Sequence, residues 1–326
     1  MIQFATIVLN ACCNQSCVWC YNMAKLNDSQ QMSEDTFNNI LEHLVMSGCK
    51  GILLVGGEPT LHPLLPHFIT RAIEAGIPKI WIVSNGYRIH GNFFDAIEGF
   101  QSNVIINISI HGSNQAIHDK LTQRTGSFNA LLSNIDTYHE HGFTVNGQTT
   151  LCMSNQNDIL NILSVLERKN IGNVLISYCM KPIGVRTDCK EFITVNDFCE
   201  CIVSAVNRYA GGIHIDVAPH MPRCMMSARF LELLDNEQIG INHGCGFNKN
   251  EIIFDPYGNI LLCIHLPDVV MGNIKEISDF SSFIQEINTK VHSYRRYPLR
   301  KCGDCNSIKQ CNGGGCPVLW LTNKVK

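Results

Sequence analysis

Apolar residues in the first two-thirds of the chain fall into two alternating patterns. Short β-rich runs, "QFATIVLN", "GILLVGG", "KIWIVSNG", "NVIINISIHG", "FTVNGQTTL" and "NVLISYC", recur along it. Between them lie segments with the apolar spacing of amphipathic helices, including 33–47, 64–75, 127–141 and 157–169. Ser33 with Asp35, and Ser127, predict helix starts, and Gly48, Gly76 and Gly142 predict stops. Strand followed by helix, repeated six times, predicts parallel strands joined by right-handed crossovers. A doubly wound sheet and part of a β/α barrel both satisfy that pattern, and periodicity does not choose between them.

The pattern changes after about residue 195. A helix-like stretch, 195–209, gives way to "AGGIHIDV" and then to irregular sequence rich in Pro, Met and Gly. "EIIFDPYGNILLC" reads as a hairpin turning at Asp255–Pro256–Tyr257–Gly258–Asn259, and a helical stretch near 280–294 follows. The expected organisation is a large domain over 1–210, a linker over 211–241 and a small cysteine-rich domain over 242–326.

Composition narrows the function classes. A chain of 326 residues, 45% apolar, can build one large core and a smaller one. The net charge of −3 gives no broad basic field for nucleic acid or a membrane surface. No segment reads as a signal peptide or approaches the roughly 18 apolar residues of a membrane span, so a cytoplasmic protein is expected. Seventeen cysteines in a reducing compartment point to metal or redox chemistry rather than disulfides. They concentrate at 12–20 and 302–316, with Cys245 and Cys263 ahead of the second group. Cys49, Cys152, Cys179, Cys189, Cys199 and Cys201 stand in apolar or helical contexts and read as small buried hydrophobes.

Cys13, Cys17 and Cys20 form a C-x3-C-x2-C set directly after the first strand, at the ligand-facing end of a parallel β/α fold. Thiolates suit iron–sulfur clusters or zinc, and three of them leave one metal position open to a substrate. Gly56–Gly57–Glu58–Pro59 follows the second strand, Ser84–Asn85–Gly86 the third, and "SIHGS" the fourth. The glycines would let a ligand approach the backbone, and Glu58 could accept from an ammonium group.

Through Cys13, Cys17, Cys20 and Gly56–Pro59, residues 1 to about 210 resemble a radical S-adenosylmethionine (SAM) enzyme. The resemblance implies an α/β fold of partial (β/α)6 TIM-type barrel architecture, with a 4Fe–4S cluster held by the three cysteines. It implies that the unligated iron chelates SAM, whose reductive cleavage gives a 5′-deoxyadenosyl radical that abstracts a substrate hydrogen. It places Trp19 near the adenine, Ser84, Asn85 and Ser109 against the ribose or carboxylate, and Arg124 on the SAM carboxylate. Cys12 falls outside the spacing and reads as packing. His62, His111 and His118 lie in strand-end loops, and none is assigned as a base.

The later cysteines resemble the SPASM extension of such enzymes, which binds two auxiliary 4Fe–4S clusters. That arrangement implies Cys245, Cys263 and Cys316 for the first cluster and Cys302, Cys305 and Cys311 for the second. Two departures stand out: "CNGGGC" spaces the last pair by four residues where the family has three, and no final cysteine follows. Cys224 is a candidate fourth ligand of the first cluster or a hydrogen donor, and His265 a ligand or a neighbour of one. A single twitch-type cluster on Cys245, Cys263, Cys302 and Cys305, or a zinc knuckle over 302–316, are the alternatives. The resemblance implies oxidative modification of a peptide or protein, with flavodoxin or ferredoxin as electron donor. With twelve residues ahead of Cys13, the peptide is expected to dock on the barrel or use a separate recognition protein. A small-molecule dehydrogenase, acting for instance on an aminosugar, and a non-catalytic zinc protein are the competing functions.

Overall fold

The computed structural model describes residues 2–20, 29–180, 190–218, 221–241, 251–294 and 302–308, with positions 311, 316 and 318. Six strands, β1 (Phe4–Val8), β2 (Gly51–Val55), β3 (Ile80–Ser84), β4 (Val104–Ser109), β5 (Thr144–Leu151) and β6 (Asn173–Tyr178), are joined through helices α1 (Glu34–Met46), α2 (Leu65–Glu74), α3 (Phe93–Ala96), α4 (Gln115–Thr122), α5 (Ser127–Glu140) and α6 (Ile159–Arg168). All five neighbouring pairs are parallel, and spatial order equals chain order. A doubly wound sheet reverses its order at a switch point; this one does not. The fold is the partial barrel.

Except in β2, where Gly51, Ile52, Leu54 and Val55 are all buried, the barrel strands alternate in burial. In β4, Val104, Ile106 and Ile108 are buried, while Ile105, Asn107 and Ser109 are half-exposed. The buried set packs under the helices, where Phe37 of α1 stacks on Phe68 of α2 with centroids 4.1 Å apart. The alternate set lines the concave face. Helix ends follow local chemistry: the Ser33 hydroxyl accepts from Thr36 N–H at 3.2 Å, and Gly48, Gly76 and Gly142 have positive φ. α5 starts at Ser127, as expected, but its cap comes from elsewhere. Its N-cap is Gly126, and Asp119 of α4 caps from a distance, accepting from Gly126 N–H, Ser127 Oγ and Phe128 N–H at 2.6–2.9 Å.

Residues 211–241, expected as a linker, carry β7 (His214–Ala218), α8 (Ala228–Asp235) and β8 (Gly240–Ile241), which continue the sheet beyond β6 after α7 (Val195–Arg208). On the opposite side, β9 (Glu251–Phe254) pairs parallel with β1, setting Phe254 beside Ile7. The hairpin then runs through β10 (Asn259–Cys263) to β11 (Leu266–Asn273). Asp255 makes its turn, accepting from Tyr257 N–H and Asn259 N–H at 2.9 Å. The expected last helix is α9 (Phe280–Tyr294), whose Phe280 meets His43 of α1 edge-on at 5.2 Å. One eleven-stranded sheet therefore runs from β11 to β8. Among the described residues no helix is long and apolar enough to cross a membrane.

Phe254 is fully buried where the C-terminal strands join the barrel. Phe254→Ala should lower unfolding free energy by about 3–5 kcal/mol, measured by urea denaturation. A loss below about 1 kcal/mol would mean that β9 is not packed as described.

Candidate functional site

The site lies at the C-terminal ends of β1 to β4. Leaving β1, the chain stays bonded to its neighbour: Leu9 N–H donates to Val55 C=O at 2.8 Å, Gly57 N–H to Asn10 C=O at 2.9 Å and Glu58 N–H to Cys12 C=O at 2.8 Å. The far side of the cysteine loop docks on the end of α4, where Ser16 and Val18 N–H donate to Thr122 and Leu121 C=O at 3.0 Å. A Cβ on Gly57 would sit 2.3 Å from the carbonyl oxygens of Ala11 and Cys12, and one on Gly56 2.4 Å from Asn10 Oδ1. Both glycines are therefore required by the approach of the chain's own cysteine loop, where the sequence suggested room for a ligand.

Glu58 also has a structural role that its motif did not announce. Its carboxylate is buried and accepts four hydrogen bonds: Oε1 from Thr60 N–H at 3.0 Å, Thr60 Oγ1 at 2.7 Å and Ser84 Oγ at 2.9 Å, and Oε2 from Asn85 N–H at 2.7 Å. Burial raises its pKa, against these donors. The carboxylate ties the ends of β2 and β3 together, three of its bonds falling on Oε1 and one on Oε2. Ser84 is drawn inward with it, its oxygen also accepting from Gly86 N–H at 3.0 Å. Pro59 opens the short 3-10 turn that follows Glu58.

Asn85 turns the other way. Its Nδ2 donates to Asn14 Oδ1 at 2.7 Å and lies 3.7 Å from Cys13 Sγ. Cys13 Sγ also accepts from Gln15 N–H at 3.4 Å. Burial pushes the Cys13 thiol up to about 12, helped by Glu58 and Cys20, and raises Cys17 further, helped by Cys20 and Cys13. Cys20 thus acts on both Cys13 and Cys17 and makes each harder to ionise. A bound cation reverses that logic by deprotonating its ligands. Beside them, Asn14 Nδ2 and Gln15 Nε2 are buried without a partner among the described residues, free to meet acceptors of a bound group. The residues fit an iron–sulfur cluster. Three thiols on one loop, with the unpartnered amides of Asn14 and Gln15 beside them, match the thiolate ligation of such a cluster.

Around this loop, Trp19 packs edge-on against His111 at 4.8 Å. His111 Nδ1 accepts from Thr150 N–H, and His118 Nδ1 from His111 N–H, at 3.2 and 3.1 Å. Burial lowers both, to about 3 and about 4, so both rings are neutral. His62 is likewise buried, against Met32 C=O at 3.0 Å. Ser109 faces the concave side beside Gln148 of β5. Arg124 is exposed and fixed by a residue that sequence reasoning missed: its Nη2 donates to Tyr87 Oη at 3.1 Å and its guanidinium carbon lies 4.7 Å from the ring centroid. Tyr87 N–H in turn donates to Asn85 Oδ1 at 3.0 Å, which links Arg124 to the cysteine loop. The signal was Tyr87's place two residues after Asn85, in a turn read only for its Ser-Asn-Gly.

Residues 7–165 match the Radical SAM superfamily. They are a radical SAM domain. Its curated relatives include the Fe-coproporphyrin III synthase of Methanosarcina barkeri, 28% identical over 163 residues, which are 50% of this chain and 40% of that protein. Another is the sporulation killing factor maturation protein SkfB of Bacillus subtilis, 25% identical over 158 residues, 48% of this chain and 38% of that one. The alignments therefore span less than half of either relative. Two solved structures share the architecture more widely than the radical SAM domain alone. Streptococcus suis SuiB bound to its precursor peptide SuiA superposes with a TM-score of 0.78 at 16% identity, covering 98% of this chain and 73% of that one. The enzyme anSMEcpe with bound AdoMet and the Cp18Cys peptide does so with 0.72 at 13%, covering 97% and 89%.

Beyond the radical SAM domain, Cys263 closes β10, buried, and its Sγ accepts from His265 N–H at 3.4 Å. Burial lowers the His265 ring to about 4. Cys316 is buried, and Cys245, the remaining member of that proposed set, lies outside the described residues. Cys302 and Cys305 share a turn, with Cys305 N–H donating to Cys302 C=O at 3.3 Å, and Cys311 follows from a turn bonded to Ser307 C=O at 2.8 Å.

Glu58→Ala leaves two backbone and two hydroxyl donors without their acceptor. Each unpaired buried donor costs about 1–3 kcal/mol. The variant should therefore lose at least about 2 kcal/mol of stability and load less iron at the N-terminal site, read by thermal melting and iron analysis. Wild-type stability with weakened SAM binding alone would restore Glu58 to direct ligand contact.

Proposed function

We propose that this chain is a radical SAM enzyme that modifies a peptide. Cys13, Cys17 and Cys20 would hold the 4Fe–4S cluster, with Asn85 orienting Cys13. With SAM bound, the cluster supplies the electron that cleaves it to a hydrogen-abstracting radical. Trp19, braced by His111, walls the side assigned to the adenine. Arg124, held over Tyr87, presents a planar donor pair of the kind that carboxylates accept. Gly56, Gly57, Glu58 and Ser84 act by fixing the loops on which those groups stand.

The observation that favours a peptide is the character of the concave wall. Along β4 to β6 its half-exposed positions are Ile105, Asn107, Ser109, Asn146, Gln148, Thr150, Leu175 and Ser177, and Asn146 Nδ2 donates to Asn107 Oδ1 at 3.3 Å. Neutral amides and hydroxyls suit the N–H and C=O groups of a peptide backbone. These strands offer no Lys or Arg there to hold a phosphate, and β7 adds Asp216. The likeness to SuiB and anSMEcpe, both solved with peptides, supports the same reading. A small-molecule substrate is the second reading, favoured by the alignment with the M. barkeri synthase, which is confined to half of this chain.

Under anaerobic reduction with SAM, the reconstituted protein should release 5′-deoxyadenosine, and a Cys13→Ala, Cys17→Ala, Cys20→Ala variant should release none. A short peptide encoded beside this gene should lose hydrogen by mass spectrometry when co-expressed. Undiminished cleavage by the triple variant would sink the first statement, and turnover confined to a small metabolite the second.

A further inference from the structure

We infer that Cys224 is a cluster ligand, the fourth thiolate of the site formed by Cys302, Cys305 and Cys311. This differs from its sequence-based placement with Cys245, Cys263 and Cys316, and it does not depend on the nature of the substrate.

The placement follows from how the turn bearing Cys224 is held. Arg223–Met225 form a single 3-10 turn closed by Met225 N–H to Pro222 C=O at 2.9 Å and Met226 N–H to Arg223 C=O at 3.2 Å. From one side, the Arg223 guanidinium grips Asp235 of α8 through both carboxylate oxygens, at 2.8 and 2.9 Å. From the other, Arg223 N–H donates to Cys311 Sγ at 3.3 Å. A backbone N–H on a cysteine sulfur is the contact that supports and tunes a cluster thiolate. The turn is thus fixed against the loop that carries Cys302, Cys305 and Cys311.

Cys224 directly follows the residue whose N–H reaches Cys311 Sγ. The ionisable neighbours acting on Cys224 are Cys311, then Cys302, then Cys305, all three members of the second set. Cys302 and Cys311 are buried, whereas Cys224 is exposed, so it would close the site from its solvent side. Thiolates on this turn and on the Cys302–Cys311 loop would repel one another, and a bound iron–sulfur cluster would supply the compensating positive charge. Cys302, Cys305 and Cys311 supply three sulfurs from one short loop, and a cysteine some eighty residues earlier in sequence would supply the fourth through the fold.

The test isolates that site and measures metal rather than turnover. In a variant lacking Cys13, Cys17, Cys20, Cys263 and Cys316, reconstitution with iron and sulfide should load about four irons per chain, one cubane. Adding Cys224→Ser should shift the electron paramagnetic resonance of the reduced cluster, and Cys224→Ala should lower iron retention several-fold on gel filtration. Unchanged spectra and iron in both would overturn the assignment, as would stoichiometric zinc with no iron. Should the fivefold variant fail to fold, the metal-free wild-type protein gives an independent reading. Diamide oxidises neighbouring thiol pairs to disulfides, and peptide mapping should join Cys224 to Cys311, Cys302 or Cys305. Joining to Cys263 or Cys316, or recovery of Cys224 unjoined, would overturn it. A failure here leaves SAM cleavage and the peptide reading untouched, because neither enters the measurement.

Discussion

A single carboxylate, sealed from water, holds the working end of this barrel in shape. Glu58 gathers donors from its own loop and from the loop after β3, while its backbone N–H and C=O bind Cys12 and Asn10 of the loop after β1. Three strand ends thus meet at one residue. Burying that carboxylate is tolerable because four hydrogen bonds replace its hydration. The cysteine loop inherits its geometry from this junction. Cys13 is positioned by Asn85, whose own backbone N–H is one of the four donors.

The same junction explains why the glycines before Glu58 cannot be replaced by larger residues. The two loops approach until backbone meets backbone, and only a residue without a side chain fits between them. Function at this end of the molecule rests on packing as much as on chemistry. Gly56, Gly57, Glu58 and Ser84 make contacts within the protein that their motifs did not announce, and Arg124 and Trp19 are placed by Tyr87 and His111, neighbours the motifs do not contain.

Much of the fold was legible in the sequence because its signals are local. The period-two and period-3.6 runs gave the six strands and most of the helices between them, and the hairpin at Asp255 followed from its turn residues. What was not legible depends on distant partners. Ser127 marked the start of α5, yet the acceptor that caps it is Asp119 of the preceding helix. The stretch 211–241 read as a linker because its runs are short, but β7 gains its stability by pairing with β6. Within the site, cysteine spacing announced the cofactor, since ligands on one loop leave a signature in one segment. The partners of Glu58, the tie between Tyr87 and Arg124, and the neighbours of Cys224 join segments far apart in the chain, and no local pattern encodes them.

The pairing of β1 with β9 carries a consequence for how the protein is made. Phe4 has Glu251 as its partner, so one edge of β1 stays unpaired until most of the chain has left the ribosome. An open apolar strand edge is a template for association with other chains, and pairings this distant form slowly. The strand that leads into the cysteine loop is therefore the last of the barrel strands to be covered on both sides. Synthesis at lower temperature, or with chaperones present, should favour recovery of folded protein before any iron is inserted.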